Sequence, residues 1–200
     1  MRRRFHRNSQ KRIYIPGASY FVTTVTKDRY LFFAEPILCE LFISNLRYAA
    51  VLKQFIIHGY VLLPDHVHLL ITPYGSANIS AIMHNIKRNF SHNANIVMGF
   101  TPESRDNASE DYYNKLPNWE FIKQLSYQFH QNYANPLLSF PVFGWQHSFH
   151  DHYIRDEKDF NLHAHYIYMN AVQHGLVRRP EEYLWMWCER VETGLKTTVE

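Results

Sequence analysis

Two strand-forming segments stand almost back to back in this chain: Phe55–Leu63, and residues 66–72 beyond the break at Pro64-Asp65. Both are dominated by apolar side chains, and Pro73 stops the second. Such a pair commits the chain to a sheet, and the flanking segments supply the rest of it. Tyr20-Phe21-Val22-Thr23-Thr24-Val25-Thr26 is β-branched and aromatic and reads as an earlier strand. Pro36 opens a helical pattern through Leu38, Leu41, Phe42, Leu46 and Ala49. Ile79, Ile82, Met83, Ile86 and Phe90 give a second amphipathic helix over 78–94.

The stretch 101–118 is polar, acidic and turn-rich, and reads as a flexible insertion. Trp119, Ile122, Leu125, Phe129 and Tyr133 then mark a helix that ends before Pro136, and residues 140–149 read as extended. Asp156, followed by Glu157 and Asp159, is an N-cap with first-turn acids, and Gly175 is a helix stop, which sets a long helix over 156–175. This order predicts an α+β fold. It is a ferredoxin-like antiparallel sheet with helices on one face, carrying a helical insertion at 95–142.

A length of 200 residues with 46% hydrophobic and 20% charged side chains fits one globular domain over 1–200. No apolar run approaches the ~20 residues that span a bilayer, so no membrane is expected. Cys39 and Cys188 form no disulfide framework or metal spacing, and fit a reducing cytoplasm. Net charge is +3 but unevenly placed. Arg2, Arg3, Arg4, Arg7, Lys11 and Arg12 crowd a basic arm at 1–12 that holds no acid. Setting those six aside from the 21 basic residues leaves 15 against 18 acids. A basic arm on a mildly acidic body suits a local polyanion contact, and equally a solvated terminus.

Histidine is the outlier, at 13 residues. In His66-Val67-His68 both imidazoles leave the same face of a strand, with Val67, Leu69 and Ile71 turned to the core, and can offer two ligands to a divalent ion. The chain also contains His150-Asp151-His152 and His163-Ala164-His165, and any such pair taken alone fits a polar surface as well. On the last helix, Phe160, Ala164, Ile167 and Ala171 make a narrow apolar stripe. Tyr166, Asn170 and His163 share one flank of it and Tyr168 takes the other. Tyr166 and Asn170 are therefore i, i+4 neighbours able to present a phenol and an amide oxygen together. A tyrosine nucleophile with an amide metal ligand, or a surface pair, would both have this spacing.

Together, Leu63-Pro64-Asp65-His66-Val67-His68-Leu69-Leu70-Ile71 and the run from His165 through Tyr166 and Asn170 to Val177 resemble the single-tyrosine HUH transposases. Within them the chain is most similar to the REP-associated tyrosine transposase branch. Tyr20-Phe21-Val22-Thr23, Ile86-Lys87-Arg88-Asn89-Phe90, Trp145-Gln146-His147-Ser148-Phe149 and His152-Tyr153-Ile154-Arg155-Asp156 extend the resemblance. It implies a metal-dependent single-stranded DNA endonuclease and strand transferase. Tyr166 would attack a phosphodiester to leave a 5′-phosphotyrosine, while His66, His68 and Asn170 hold Mg²⁺ or Mn²⁺. Hairpin-forming or single-stranded DNA would be the partner, gripped by the arginine arm and by Lys87 and Arg88. Relatives act as monomers or as homodimers. The chain departs from the family in Asn170-Ala171, where Asn-Pro is common, in the longer 95–142 link, and in the aromatic Tyr183-Leu184-Trp185-Met186-Trp187. Two other readings compete: a catalytically idle hairpin-binding protein, and a histidine–metal hydrolase of nucleotides.

Overall fold

The computed structural model describes residues 14–100, 118–133 and 135–189. The arm residues Arg2, Arg3, Arg4, Arg7, Lys11 and Arg12, and the polar stretch 101–117, lie outside the described residues. The elements run β1 (Tyr20–Val25), α1 (Pro36–Lys53), β2 (Phe55–Leu63), β3 (His66–Pro73), α2 (Ile79–Val97), α3 (Trp119–Asn132), β4 (His150–Tyr153), α4 (Glu157–Gln173) and β5 (Met186–Cys188). The sheet order is β4-β1-β3-β2-β5, with every neighbouring pair antiparallel. Up to β4, the sheet strands, with α1 and α2, follow the β-α-β-β-α-β ferredoxin-like plan, and β5 adds an outer strand beside β2.

Local chemistry accounts for the helices. Pro36 begins α1, and the Glu35 carboxylate accepts from the Ile37 N–H at 3.1 Å. Asn78 caps α2 by accepting from the Ala81 N–H at 2.9 Å. Asp156 caps α4 by accepting from Asp159 N–H at 2.8 Å. Replacing such a cap by alanine typically costs ~1 kcal/mol. α4 ends as the sequence requires: Gly175 takes φ +69, and the Gly175 and Leu176 N–H groups donate to Val172 and Ala171 carbonyls.

The helices lie on both faces of the sheet, not on one. Val67, Leu69 and Ile71 of β3 join the main core with Leu38, Leu41, Phe42 and Leu46 of α1 and Ile82, Ile86 and Phe90 of α2. Leu70 points the other way, into a second core made with Val61, Leu63, Ile154 and the α4 residues Ala164 and Ile167. The run Leu69-Leu70-Ile71 is apolar at both strand parities, and such a strand needs cover on both sides. α4 supplies the second cover with its narrow stripe, which places the tyrosine helix directly over the histidine side of β3.

The inserted helix α3 buries Ile122, Leu125 and Phe129 in the main core. It therefore thickens the α1/α2 layer, on the opposite side of the sheet from α4. Residues 140–149 form no strand, and β4 begins only at His150. The segment instead turns Trp145 inward, against Phe90 and Phe143, where the indole N–H donates to the Lys87 carbonyl at 3.2 Å. β5 has no counterpart among the strands expected from the sequence. It reaches β2 at Gly59, where an added Cβ would stand 3.1 Å from Cys188 Sγ and 3.4 Å from Ile167 Cδ1. Among the described residues no helix is long and apolar enough to cross a membrane.

Candidate active site

β3 lies at the centre of the sheet, so His66 and His68 stand on its best-supported strand. Their rings meet edge to face, centroids 4.9 Å apart. Each has its Nδ1 engaged by a separate partner. His68 Nδ1 pairs with the Thr23 hydroxyl at 2.8 Å, a consequence of the β1–β3 register that sets Thr23 opposite His68. His66 Nδ1 pairs with the Asp65 carboxylate at 2.5 Å, and Arg29 anchors the other oxygen of Asp65 at 2.7 Å. Burial works to raise the Asp65 pKa, but hydrogen bonds from His66 and Arg29 outweigh it and hold the carboxyl below its ordinary value. Tying Nδ1 fixes each ring and turns Nε2 toward the space above the strand, the usual outer-shell arrangement for a metal-binding histidine.

Burial, with the nearby His66 and His174 rings, pushes the His68 pKa down to about 3. The ring is neutral at physiological pH, as a ligand must be. Its Nε2 is buried and has no hydrogen-bond partner.

α4 crosses above. Tyr166 sets its ring edge-on to His68 and to Phe21, with centroids at 5.2 and 5.7 Å. Two turns further on, the His174 ring lies 5.8 Å from His66. Asn170 sits midway between these two contacts, on the same side of the helix and fully buried, and neither Oδ1 nor Nδ2 has a partner. Leaving a buried amide unsatisfied costs about 1–3 kcal/mol. Three unpaired buried polar atoms therefore gather where the helix meets the strand, while the Tyr166 phenol remains 36% exposed. This donor set fits a divalent ion: two neutral imidazoles, an amide oxygen, and a solvent-open side for further ligands.

Tyr168 is placed elsewhere. Its hydroxyl donates to the Glu181 carboxylate, whose bond raises the Tyr168 pKa and keeps the phenol protonated. The helical phase read from the sequence thus separates the two tyrosines correctly. Lys87 and Arg88 are not brought to the histidines. They line a groove with Ser91, Trp145 and His147, and the Lys87 ammonium donates to the carbonyls of Gln146 at 2.7 Å and Ser148 at 3.2 Å. Arg88 is exposed beside it.

Sequence reasoning did not single out Thr23, Asp65, Phe21 or His174. Asp65 stands in the quoted Pro-Asp-His motif, and His174 continues the four-residue spacing of Tyr166 and Asn170, so both left a signal. Thr23 and Phe21 stand in the quoted Tyr20–Thr23 segment, but the strand pairing that brings them to the histidines has no local signature.

The chain is similar to known proteins over most of its length. Residues 15–101 match the family model described as "Transposase IS200 like". The chain is 25% identical over 178 residues to the "REP-associated tyrosine transposase" of Escherichia coli (strain K12), covering 86% of this chain and 78% of that protein. It is 29% identical over 171 residues to a Haemophilus influenzae (strain Rd) protein provisionally given the same name, covering 85% of this chain and 79% of the relative. A solved structure of a REP-associated tyrosine transposase bound to a REP hairpin superposes with a TM-score of 0.52 at 21% identity, over 90% of this chain and 81% of that one, and shows the same fold. The histidine strand lies within the matched segment, and the similarity to the REP-associated relatives runs well beyond it: over most of its length the chain is similar to IS200-like tyrosine transposases.

Proposed function

We propose that this protein cleaves and rejoins single-stranded, hairpin-forming DNA in a metal-dependent reaction, with Tyr166 as the nucleophile and His66, His68 and Asn170 as the metal ligands. The observation that carries this reading is the set of unpartnered buried atoms, His68 Nε2 with Asn170 Oδ1 and Nδ2, beside the ring of an exposed tyrosine. Mg²⁺ or Mn²⁺ held there would polarise the scissile phosphate and stabilise charge on its oxygens. Two imidazoles would also accept later first-row ions.

The chain's own residues do the remainder. Asp65 and Thr23 hold the imidazoles by their Nδ1 atoms, and Phe21 backs the tyrosine ring. The Tyr166 oxygen forms a bond to phosphorus as its proton is lost. The bond from phosphorus to the 3′ oxygen breaks, and that oxygen takes up a proton to leave as a free 3′-hydroxyl. The product is a 5′-phosphotyrosine. Attack by the same or another 3′-hydroxyl reverses the step, so strands exchange without an external energy source. A relative's structure holds a REP hairpin, which supports a hairpin substrate here. We assign backbone contacts to the arginine arm at 1–12 and to exposed Arg88, with Lys87 beside it holding the 146–148 segment. No membrane step enters this chemistry, which suits a cytoplasmic protein.

The test is covalent trapping. Protein, labelled hairpin DNA from beside its own gene, and Mn²⁺ or Mg²⁺ are resolved on a denaturing gel. A metal-dependent adduct that Tyr166→Phe abolishes and Tyr168→Phe retains supports the reading. Hairpin binding without an adduct, for several flanking sequences and both metals, replaces it with the idle binding protein. Strand cleavage without an adduct replaces it with the hydrolase.

A further inference from the structure

A second group of ligand-type side chains lies outside this site. His152 on β4 and Asp159 and His163 on the first turns of α4 each offer a donor atom, all within 4.8 Å of one another. His152 Nε2 approaches Asp159 Oδ2 at 2.9 Å, and His163 Nδ1 approaches Asp159 Oδ1 at 3.2 Å. The two imidazole rings are stacked, centroids 4.7 Å apart and planes at 20°. His163 Nδ1 also pairs with the main-chain carbonyl of Asp159 at 2.8 Å, a bond that an ion at this nitrogen would replace. Asp159 is buried, His163 partly so, and the His152 side chain is 41% exposed, leaving an open approach.

From these contacts we propose that His152, Asp159 and His163 form a second divalent-cation site, distinct from the one at His66 and His68. A tetrahedral ion with ligand distances of about 2.0–2.2 Å sets its donors about 3.3–3.6 Å apart, so the donors farthest apart must close by about an ångström and the 2.9 Å His152–Asp159 pair must open slightly. Arg155 does not block it. Its main-chain N–H and its Nε both bond Asp159 Oδ2, at 3.1 and 3.0 Å, which leaves Oδ1 toward His163. The nearby guanidinium weakens any purely electrostatic capture. The site therefore favours ions that bond strongly to imidazole, such as Zn²⁺, over Mg²⁺. Three protein ligands leave a fourth position for water or a phosphate oxygen.

The placement gives such an ion a task. His163 precedes Tyr166 by one turn, and the Phe21 ring lies 4.7 Å from His163, 5.2 Å from His68 and 5.7 Å from Tyr166. A bound cation would tie β4 to the start of the tyrosine helix, on the far side of Phe21 from the histidine pair.

Zn²⁺ alone is the probe, measured by equilibrium dialysis and elemental analysis. The His66→Ala/His68→Ala variant is expected to keep one tightly bound Zn²⁺ per chain. Adding His152→Ala is expected to weaken that ion at least tenfold. No bound Zn²⁺ in the double variant, or one indifferent to His152→Ala, overturns the proposal. If the double variant loses its circular dichroism signature, the same comparison is made between the wild-type chain and His152→Ala. There the loss of one ion per chain supports the second site, and an unchanged count refutes it. Neither readout depends on DNA cleavage.

Discussion

The ring of Tyr166 stands edge-on to the ring of His68, centroids 5.2 Å apart and planes at 77°. One ring comes from a helix and the other from the central strand of the sheet, so their approach depends on how α4 is seated rather than on either element alone. What holds that seat is apolar: Ala164 and Ile167 against Val61, Leu63 and Leu70.

Asn170 is expected to trade stability for binding. Replacing it with leucine, of similar shape, removes two unsatisfied buried atoms. In metal-free protein Asn170→Leu should leave the melting temperature unchanged or raise it, by roughly 2–4 °C for each kcal/mol gained. Mn²⁺ affinity and DNA cleavage should fall sharply in the same variant. Thermal melts in EDTA beside metal titrations check both halves, and a large drop in melting temperature would contradict the first.

The partners of the imidazole Nδ1 atoms should matter although they touch no substrate. Thr23→Val and Asp65→Ala each release one ring. Changes of this kind usually cost about 10–100-fold in metal affinity. Isothermal titration with Mn²⁺ should show that loss, with the fold retained by circular dichroism.

Acid should destabilise the metal-free protein through His68. Burial holds its folded pKa down to about 3, whereas an unfolded histidine titrates near 6.5. Between those values the unfolded chain binds more protons than the folded one, so stability rises with pH across that window and falls on acidification. The contribution has an upper limit of about 1.4 kcal/mol per pH unit. Urea unfolding in EDTA at several pH values should give a shallower slope for His68→Gln than for the wild type.

Lys87 and Arg88 should separate. Lys87→Met releases the exposed Gln146 and Ser148 carbonyls and should lower stability by about 0.5–1.5 kcal/mol. Arg88→Ser should leave stability nearly unchanged. It should reduce the salt dependence of single-strand binding by about 0.7 in the log–log slope, as expected for one lost phosphate contact. Denaturant curves and salt-titrated binding isotherms distinguish the two.

Local features of the fold and the site are legible in the sequence. The buried positions Leu38, Leu41, Phe42, Leu46 and Ala49 of α1, and the pairing of Tyr166 with Asn170, follow from helical period, which is local. The Asp156 cap and the Gly175 stop are equally local. The cover on both faces is harder to read, because the α4 stripe looks like the edge of a one-sided layer until Leu70 is seen to need a partner. Thr23 and Phe21 depend on the β1–β3 register, and the His152–Asp159–His163 group on the placement of β4 against α4. Such long-range pairings leave no periodic trace in the chain.

Gly59 sets the height at which the tyrosine rides. With no side chain there, Cys188 and Ile167 close onto β2 from either side of the same point. A methyl group at that position would crowd Cys188 Sγ and the Trp187 carbonyl of β5 and press on Ile167, whose side chain helps to seat α4 beneath Tyr166. A single missense change there could therefore disturb the proposed site while every polar residue of it stayed in place. Anyone sorting live copies from dead ones among relatives by inspecting histidines and tyrosines would count such a copy as active.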